Sequence, residues 1–195
     1  VFLERFLRTP RHIEVQFACD RFGAAVHVGE RDCSMQRRHQ KIIEEAPAPN
    51  LAEDLRDRIR AAAARLVAST GYVTVGTCEF LVEGDEFFFL EVNPRIQVEH
   101  PATEMVTGID LVQLQIRLAA GEPMPFAQSE VRLRGHAIEL RVNAEDPWKF
   151  TPSPGRITGY HAPGGPGIRV DSAVHEGAMV QPYYDSLVAK IIAYA

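Results

Sequence analysis

Residues 77–93 read Thr-Cys-Glu-Phe-Leu-Val-Glu-Gly-Asp-Glu-Phe-Phe-Phe-Leu-Glu-Val-Asn, and no other stretch restricts the fold as much. Apolar and acidic residues alternate on both sides of Gly84-Asp85, the pattern of a β-hairpin that turns there. Two registers are open. A two-residue loop pairs Glu79 with Leu90 and Cys78 with Glu91, and each face then mixes acids with apolar groups. A three-residue loop, Gly84-Asp85-Glu86, pairs Glu79 with Glu91 and Leu81 with Phe89. One face then becomes wholly apolar (Cys78, Phe80, Val82, Phe88, Leu90, Val92), and the other carries Glu79, Glu91 and Asn93. A one-residue slip exchanges every side chain between faces, so burial selects the second register. It sets two carboxylates directly opposite each other, where like charges repel, and a cation between them removes the repulsion. Oxygen-only ligands from Glu79, Glu91 and Asn93 suit Mg²⁺ or Mn²⁺, with phosphate oxygens completing the shell. A solvated polar face without metal is the alternative.

The remaining elements follow from the same rules. Residues 12–19 alternate as a half-buried strand, with His12, Glu14 and Gln16 opposite Ile13, Val15, Phe17 and Cys19. A turn at Asp20-Arg21-Phe22-Gly23 leads to a return strand over 24–30. Residues 31–49 read as irregular, polar and partly basic. Asn50 is positioned to cap a helix over about 52–70, with a stripe of Leu55, Ile59, Ala62, Leu66 and Val67 and a stop at Gly71. A second helix starts at Asp110, with Gln113 as capping-box partner, and stops at Gly121. Residues 136–143 alternate again, and a soft boundary lies near 121–131. The chain opens on an apolar, strand-like run and closes on another, Ile191-Ile192-Ala193-Tyr194-Ala195, which reads as a piece cut from something longer.

Two further segments carry candidate chemistry. Asn93-Pro-Arg-Ile-Gln-Val-Glu-His-Pro101 leaves the hairpin strand directly. Arg95 offers a planar fork for a small oxyanion, Gln97 donates beside it, and Glu99 is placed to act as a base. His100, preceding a proline, is biased towards an extended conformation. The alternative here is an Arg95–Glu99 surface ion pair. The stretch Glu30–Lys41 gathers four cations in a chain with 21 basic and 26 acidic residues and a net charge of −5. Lys41 and His39 suit phosphate, and Gln36 suits a sugar or phosphate. A nucleic-acid surface is the rival reading, but the acidic balance and the absence of aromatic stacking partners speak against it. A solvated charged loop is the third reading. Cys19, Cys33 and Cys78 form no Cys-x-x-Cys pair and fit a reducing cytoplasm, each as a small buried apolar group. No apolar run approaches the roughly 20 residues of a membrane span.

Taken together, these segments resemble the biotin carboxylases. The resemblance rests on Glu30–Lys41 with Glu44-Glu-Ala-Pro47, on Glu91–Pro101, on Thr103-Glu-Met-Val-Thr-Gly108, on Arg134–Pro147 and on Pro182-Tyr-Tyr-Asp-Ser186. The nearest likeness is to the biotin carboxylase of acetyl-CoA carboxylase or of a bacterial acyl-CoA carboxylase α subunit.

The resemblance implies an α+β fold, the C-terminal lobe of an ATP-grasp domain, with an antiparallel sheet and flanking helices. That lobe would span residues 1–125, and residues 126–195 would begin the biotin carboxylase C-terminal domain. It implies an enzyme that uses ATP, Mg²⁺ or Mn²⁺ and bicarbonate to carboxylate biotin on a carrier protein or domain through carboxyphosphate. A second copy of the chain and a carboxyltransferase subunit would be its partners, and neither nucleic acid nor membrane would be.

Carried over by position, Glu79, Glu91 and Asn93 would hold the metal. Arg95, Gln97 and the backbone N–H of Val98 would hold bicarbonate, which Glu99 would deprotonate. Lys41 would contact the reacting phosphate or bicarbonate, and Arg141 would stabilise the biotin enolate. His12, Gln36 and His39 would line the nucleotide side. Glu4, with the backbone up to Leu7, would meet adenine, over Leu81. Pro94 stands where many relatives have Thr. The family's N-terminal domain and its lid, with a glycine-rich phosphate loop, have no counterpart in these residues. Gly164-Gly-Pro-Gly167 reads as a turn between C-terminal strands. Another ATP-grasp ligase of the carbamoyl-phosphate synthase type and a non-catalytic module are the alternatives.

Overall fold

The computed structural model describes residue 1 and residues 3–195. Residues 3–10 run without strand pairing to β1 (Arg11–Cys19), so the expected opening strand is not present there. From β1 the chain passes through β2 (Ala25–Arg37), β3 (Gln40–Ala46), α1 (Glu53–Ala68), β4 (Thr74–Glu83), β5 (Glu86–Asn93), α2 (His100–Thr107), α3 (Leu111–Ala119) and β6 (Ala137–Asn143). It finishes with β7 (Gly155–Arg156), β8 (Ile168–Ser172), β9 (Met179–Val180) and β10 (Leu187–Tyr194). Eight strands form one antiparallel sheet in the order β5-β4-β1-β2-β3-β6-β10-β8, and β7 pairs separately with β9. Gly164–Gly167 lies in the connection to β8, as expected.

The odd-numbered residues of β1 and the even-numbered residues of β4 meet α1. Ile13, Val15, Phe17, Cys78, Phe80 and Val82 pack with Leu55, Ile59, Ala63 and Val67 of the helix. Each large apolar side chain fully removed from water here stabilises by roughly 1.5–3 kcal/mol. On the opposite face α3 covers Ala18, Val28 and Val75 through Leu111, Leu114 and Leu118. Beside it α2 packs Ala102 and Val106 against Ala46, Ala137 and Ile192. Asp110 caps α3 by accepting from the Gln113 N–H at 2.7 Å. Asn50 does not cap α1. Ala52 occupies that position, and the Asn50 carbonyl accepts from Arg11 instead.

Three further expectations need correction. The polar stretch after residue 30 is regular: β2 continues to Arg37 and turns through Arg38 and His39, both at positive φ (52° and 63°), into β3. Positive φ at both central positions matches the twist of a tight hairpin, though Arg and His adopt it at a cost. His100 is not extended but opens α2, with Pro101 in the first turn, where its missing N–H does no harm.

The β4–β5 hairpin, finally, contains both registers. Glu83 pairs with Glu86 across a two-residue Gly84-Asp85 turn, and Leu81 pairs with Phe88. A shift between Glu79 and Phe80 then restores Glu79 opposite Glu91, Cys78 opposite Val92 and Thr77 opposite Asn93. Leu90 is the extra residue of this bulge. Near the turn Phe87 and Phe89, not Phe88 and Leu90, meet Phe80, with ring centroids 5.7 and 6.0 Å away.

Candidate active site

The polar face of the sheet carries a row of charge across six strands. Glu91 on β5 lies opposite Glu79 on β4, Glu79 opposite Glu14 on β1, and Glu14 opposite Arg31 on β2. Farther along the sheet Glu44 on β3 lies opposite Glu139 on β6. Glu14, Arg31, Glu44 and Glu139 have no exposed surface, so β1 is buried on both faces rather than half-buried. Arg31 makes this tolerable. Its guanidinium donates to Gln16 at 2.9 Å, to Thr103 at 2.8 Å and to Glu14 at 3.2 Å.

Lys41 leads from β3 into the middle of the row. Its ammonium bonds Glu14, Glu79 at 3.1 Å and Glu99 at 2.8 Å. It thus sits where His12, Glu14 and Glu79, and also Glu14, Cys33 and Glu99, converge closely enough to hold a cation. Burial opposes its charge, but Glu14 and Glu99 hold its pKa above the ordinary lysine value. The other Glu99 oxygen accepts from Arg141 at 3.0 Å. Burial pushes Glu99 up, yet the charges of Arg31, Lys41 and Arg141 bring it down to about 2. His12 lies 2.8 Å from Glu79 and 3.1 Å from Glu14, and these carboxylates raise it to about 9 against the effect of burial.

At the end of the hairpin Asn93 gathers the acid pair. Its amide nitrogen donates to Glu79 at 2.9 Å and to Glu91 at 3.1 Å, and its oxygen accepts from Arg95 at 3.1 Å. The donor set suits a hard divalent cation: two carboxylates meet at the Asn93 amide, and Glu79, Glu91 and Asn93 are the residues that would hold one. Gln97 donates to Glu79 at 2.8 Å and leaves its own oxygen unpartnered. The Val98 carbonyl accepts from Lys190 at 2.7 Å.

A cleft of about 730 Å³ lies over this face. Its walls bring together His12, Gln36, His39 and Lys41 with Glu79, Leu81, Glu91 and Asn93, and with Arg95, Gln97, Val98, Glu99 and Arg141. Of the residues singled out in the sequence, Glu4 and Leu7 stand outside these walls, on the segment before β1. Glu14, Arg31, Glu44 and Glu139 were not singled out. Glu14 shares the period-two face of His12 and Gln16, so its place was legible. Arg31 and Glu44 fell in a stretch read as loop. Leu90 joins Leu81 in the cleft wall because of the bulge.

The chain belongs to the family described as Carbamoyl-phosphate synthase L chain, ATP binding domain, whose model matches residues 1–127. Within it the chain is of the biotin carboxylase kind, since residues 139–195 match the Biotin carboxylase C-terminal domain. It is similar to biotin carboxylase of Allochromatium vinosum, at 54% identity over 194 residues that cover 100% of this chain and 43% of that protein. It is similar to the chloroplastic biotin carboxylase of Arabidopsis thaliana, at 54% identity over 196 residues that cover 100% of this chain and 36% of that protein. Among solved structures it is similar to the biotin carboxylase domain dimer of Hydrogenobacter thermophilus 2-oxoglutarate carboxylase in complex with MgADP, ADP and bicarbonate. The TM-score is 0.95 at 47% identity, covering 98% of this chain and 43% of that one. The chain therefore spans about two-fifths of the length of the relatives it matches.

Proposed function

We propose that the complete protein carboxylates biotin on a carrier protein or domain, using ATP and bicarbonate, as the first half-reaction of an acyl-CoA-type carboxylase. The observation that carries this reading is Glu99, whose two oxygens hold Lys41 and Arg141. A base, a cation for phosphate and a cation for an enolate are thus grouped around one carboxylate, beside the Arg95–Gln97–Val98 edge that fits bicarbonate. The complex of a relative's domain with MgADP and bicarbonate supports the same set of ligands.

In this reading Glu79, Glu91 and Asn93 hold Mg²⁺ or Mn²⁺, which neutralises phosphate charge when bound. Arg95, Gln97 and the Val98 N–H orient bicarbonate, and Lys41 faces the transferred phosphoryl group. ATP gives its γ-phosphoryl group to a bicarbonate oxygen, yielding ADP and carboxyphosphate. Carboxyphosphate breaks down to CO₂ and phosphate, the phosphate takes the ureido N–H proton of biotin, and the enolate so formed bonds CO₂ at that nitrogen. Glu99 is a weak base while Lys41 and Arg141 are bound to it. Anionic substrates compete for those cations and free the carboxylate at the moment it is needed. Arg141 then faces the enolate, aimed by Glu44. His12, Gln36 and His39 border the nucleotide, with adenine between Leu81 and the Glu4–Leu7 segment.

We read residues 1–125 as the catalytic lobe and 126–195 as the start of the C-terminal domain. A second copy of the chain and a carboxyltransferase subunit complete the assembly. Among the described residues no helix is long and apolar enough to cross a membrane. Three free buried thiols suit a reducing cytoplasm, where we place the protein.

The test is Arg141→Ala in the complete protein. Biotin-dependent ATP cleavage falls about 10²–10³-fold, the usual effect of removing a group that stabilises developing negative charge. Unchanged turnover overturns the assignment. Cleavage stimulated by an amine and not by biotin would favour a ligase of the carbamoyl-phosphate synthase type. The 195 residues alone are expected to bind MgATP weakly without turnover.

A further inference from the structure

A second carboxylate pair lies beneath Arg141. Glu44 on β3 and Glu139 on β6 are direct partners in the ladder, and both are fully buried. One Glu44 oxygen accepts from the Arg141 Nε at 2.7 Å and Nη2 at 2.6 Å. The other Glu44 oxygen and both Glu139 oxygens have no hydrogen-bond partner. Two ionised carboxylates so placed repel, and a buried charge without a donor is costly.

The cations nearby, Arg31, Lys41 and Arg141, donate to Glu14, Glu79, Glu99 and Glu44, and none donates to Glu139. Lys190, opposite Arg141 on β10, is committed to the Val98 carbonyl and to Asp171. Glu139 is thus a buried carboxylate that no donor reaches.

We infer that Glu139 is a positioning residue for Arg141 that acts as a neutral acid, sharing its proton with Glu44 so that the pair carries one charge, directed at the guanidinium. The inference rests on Arg141 being the enolate-stabilising cation. The shared proton supplies the donor that the free Glu44 oxygen lacks and removes the repulsion across the ladder. The groups facing Glu139 are Glu44 from β3, Lys190 from β10, Arg31 from β2 and Glu99 at the head of α2. His100 and Glu104 of α2 stand with Lys190 and Arg31 in the same neighbourhood. Burial raises Glu139 most, Glu44 and Glu99 add to it, and Lys190 and Arg31 oppose it, leaving the carboxyl at about 8. Ionisation above that point puts a second charge beside Glu44 and draws Arg141 inward, away from Glu99 and the substrate.

Infrared difference spectroscopy of the complete polypeptide at neutral pH tests the proton. The carbonyl stretch of a protonated carboxylic acid is expected in the wild type and lost in Glu139→Gln. Glutamine keeps a donor and cannot ionise. Biotin-dependent ATP cleavage by this variant is therefore expected within about threefold of wild type at neutral pH. Its alkaline decline near pH 8 should disappear. A wild type without the band, a band that survives in Glu139→Gln, or an alkaline decline that persists in the variant each overturn the inference. The band is read without turnover, so a wild type that shows it but cleaves no ATP in response to biotin overturns the functional reading alone.

Discussion

Lys41 is the cation on which three buried carboxylates depend, and Lys41→Met removes its charge while keeping an unbranched apolar stem. Its ammonium reaches Glu14, Glu79 and Glu99, all less than a tenth exposed. Breaking a buried ion pair from one side costs about 3–5 kcal/mol. The protein limits that cost by taking up a proton. At pH 7, protonating a carboxylate of ordinary pKa about 4.3 costs about 4 kcal/mol, at about 1.4 kcal/mol per unit.

The sign follows from Glu99. In the wild type it is held down to about 2. It therefore contributes stability that is present above its unfolded value of about 4.3 and lost as pH falls through the folded value. Without Lys41 the network binds the extra proton when folded, so the deficit is largest at neutral pH and shrinks on acidification. Thermal unfolding measures it. A domain of this size loses about 2–4 °C per kcal/mol, so the variant should melt about 8–16 °C lower at pH 7 and only about 2–4 °C lower at pH 5. Adding Glu14→Gln should restore much of the loss at neutral pH. A deficit that does not change between these two pH values, or one below about 1 kcal/mol at pH 7, would refute the reasoning.

Two further outcomes follow from the hairpin. Glu91→Gln removes one of the two carboxylates that face each other across the hairpin while the bulge and the Gly84-Asp85 turn are untouched. Calorimetry should show Mg²⁺-dependent ATP binding lost with the fold retained, and unaltered binding would argue against Glu91 as a ligand. Gly76→Ala would drive a methyl group into the buried Phe17 ring and to 3.0 Å from the Asn93 carbonyl. The overpacking should cost about 1–3 kcal/mol in denaturant unfolding. A neutral effect there would show that β1 and β4 can part without strain.

The alternation of β1, β4, β5 and β6 was open to reading because apolar residues mark one face of each strand. The β2–β3 hairpin was hidden for the opposite reason. Glu30, Arg31 and Glu44 look like solvent-facing residues, yet each is buried. Glu30 is bound by Arg56 and by Arg60 at 2.5 Å, and Arg31 is bound by Glu14, Gln16 and Thr103. These partners come from distant segments, which no local pattern contains. The same limit hid α2, since eight residues opening at a proline offer little periodicity. The hairpin register escaped for a subtler reason. Burial favoured Phe87 inside near the turn but Val92 inside farther on, and one bulge satisfies both. Most of the cleft was legible because its residues lie close together in two segments, Gln36–Lys41 and Glu91–Glu99. What could not be read was the buried charge that holds those segments in place.

The β3–β6 ladder has a consequence for how such a chain can be recombined. It joins Ile43–Ala46 to Ala137–Leu140 strand to strand, across the stretch where the two family matches meet. A gene crossover in that stretch would look modular, since it falls between helices and strands. Each chimaera would nevertheless have to rebuild a ladder from two parents and place one parent's Arg141 against the other's Glu44 and Glu99. The two segments behave as one inherited unit, and exchange of whole catalytic properties would have to be drawn at the outer edges of the sheet, beyond β5 or β8.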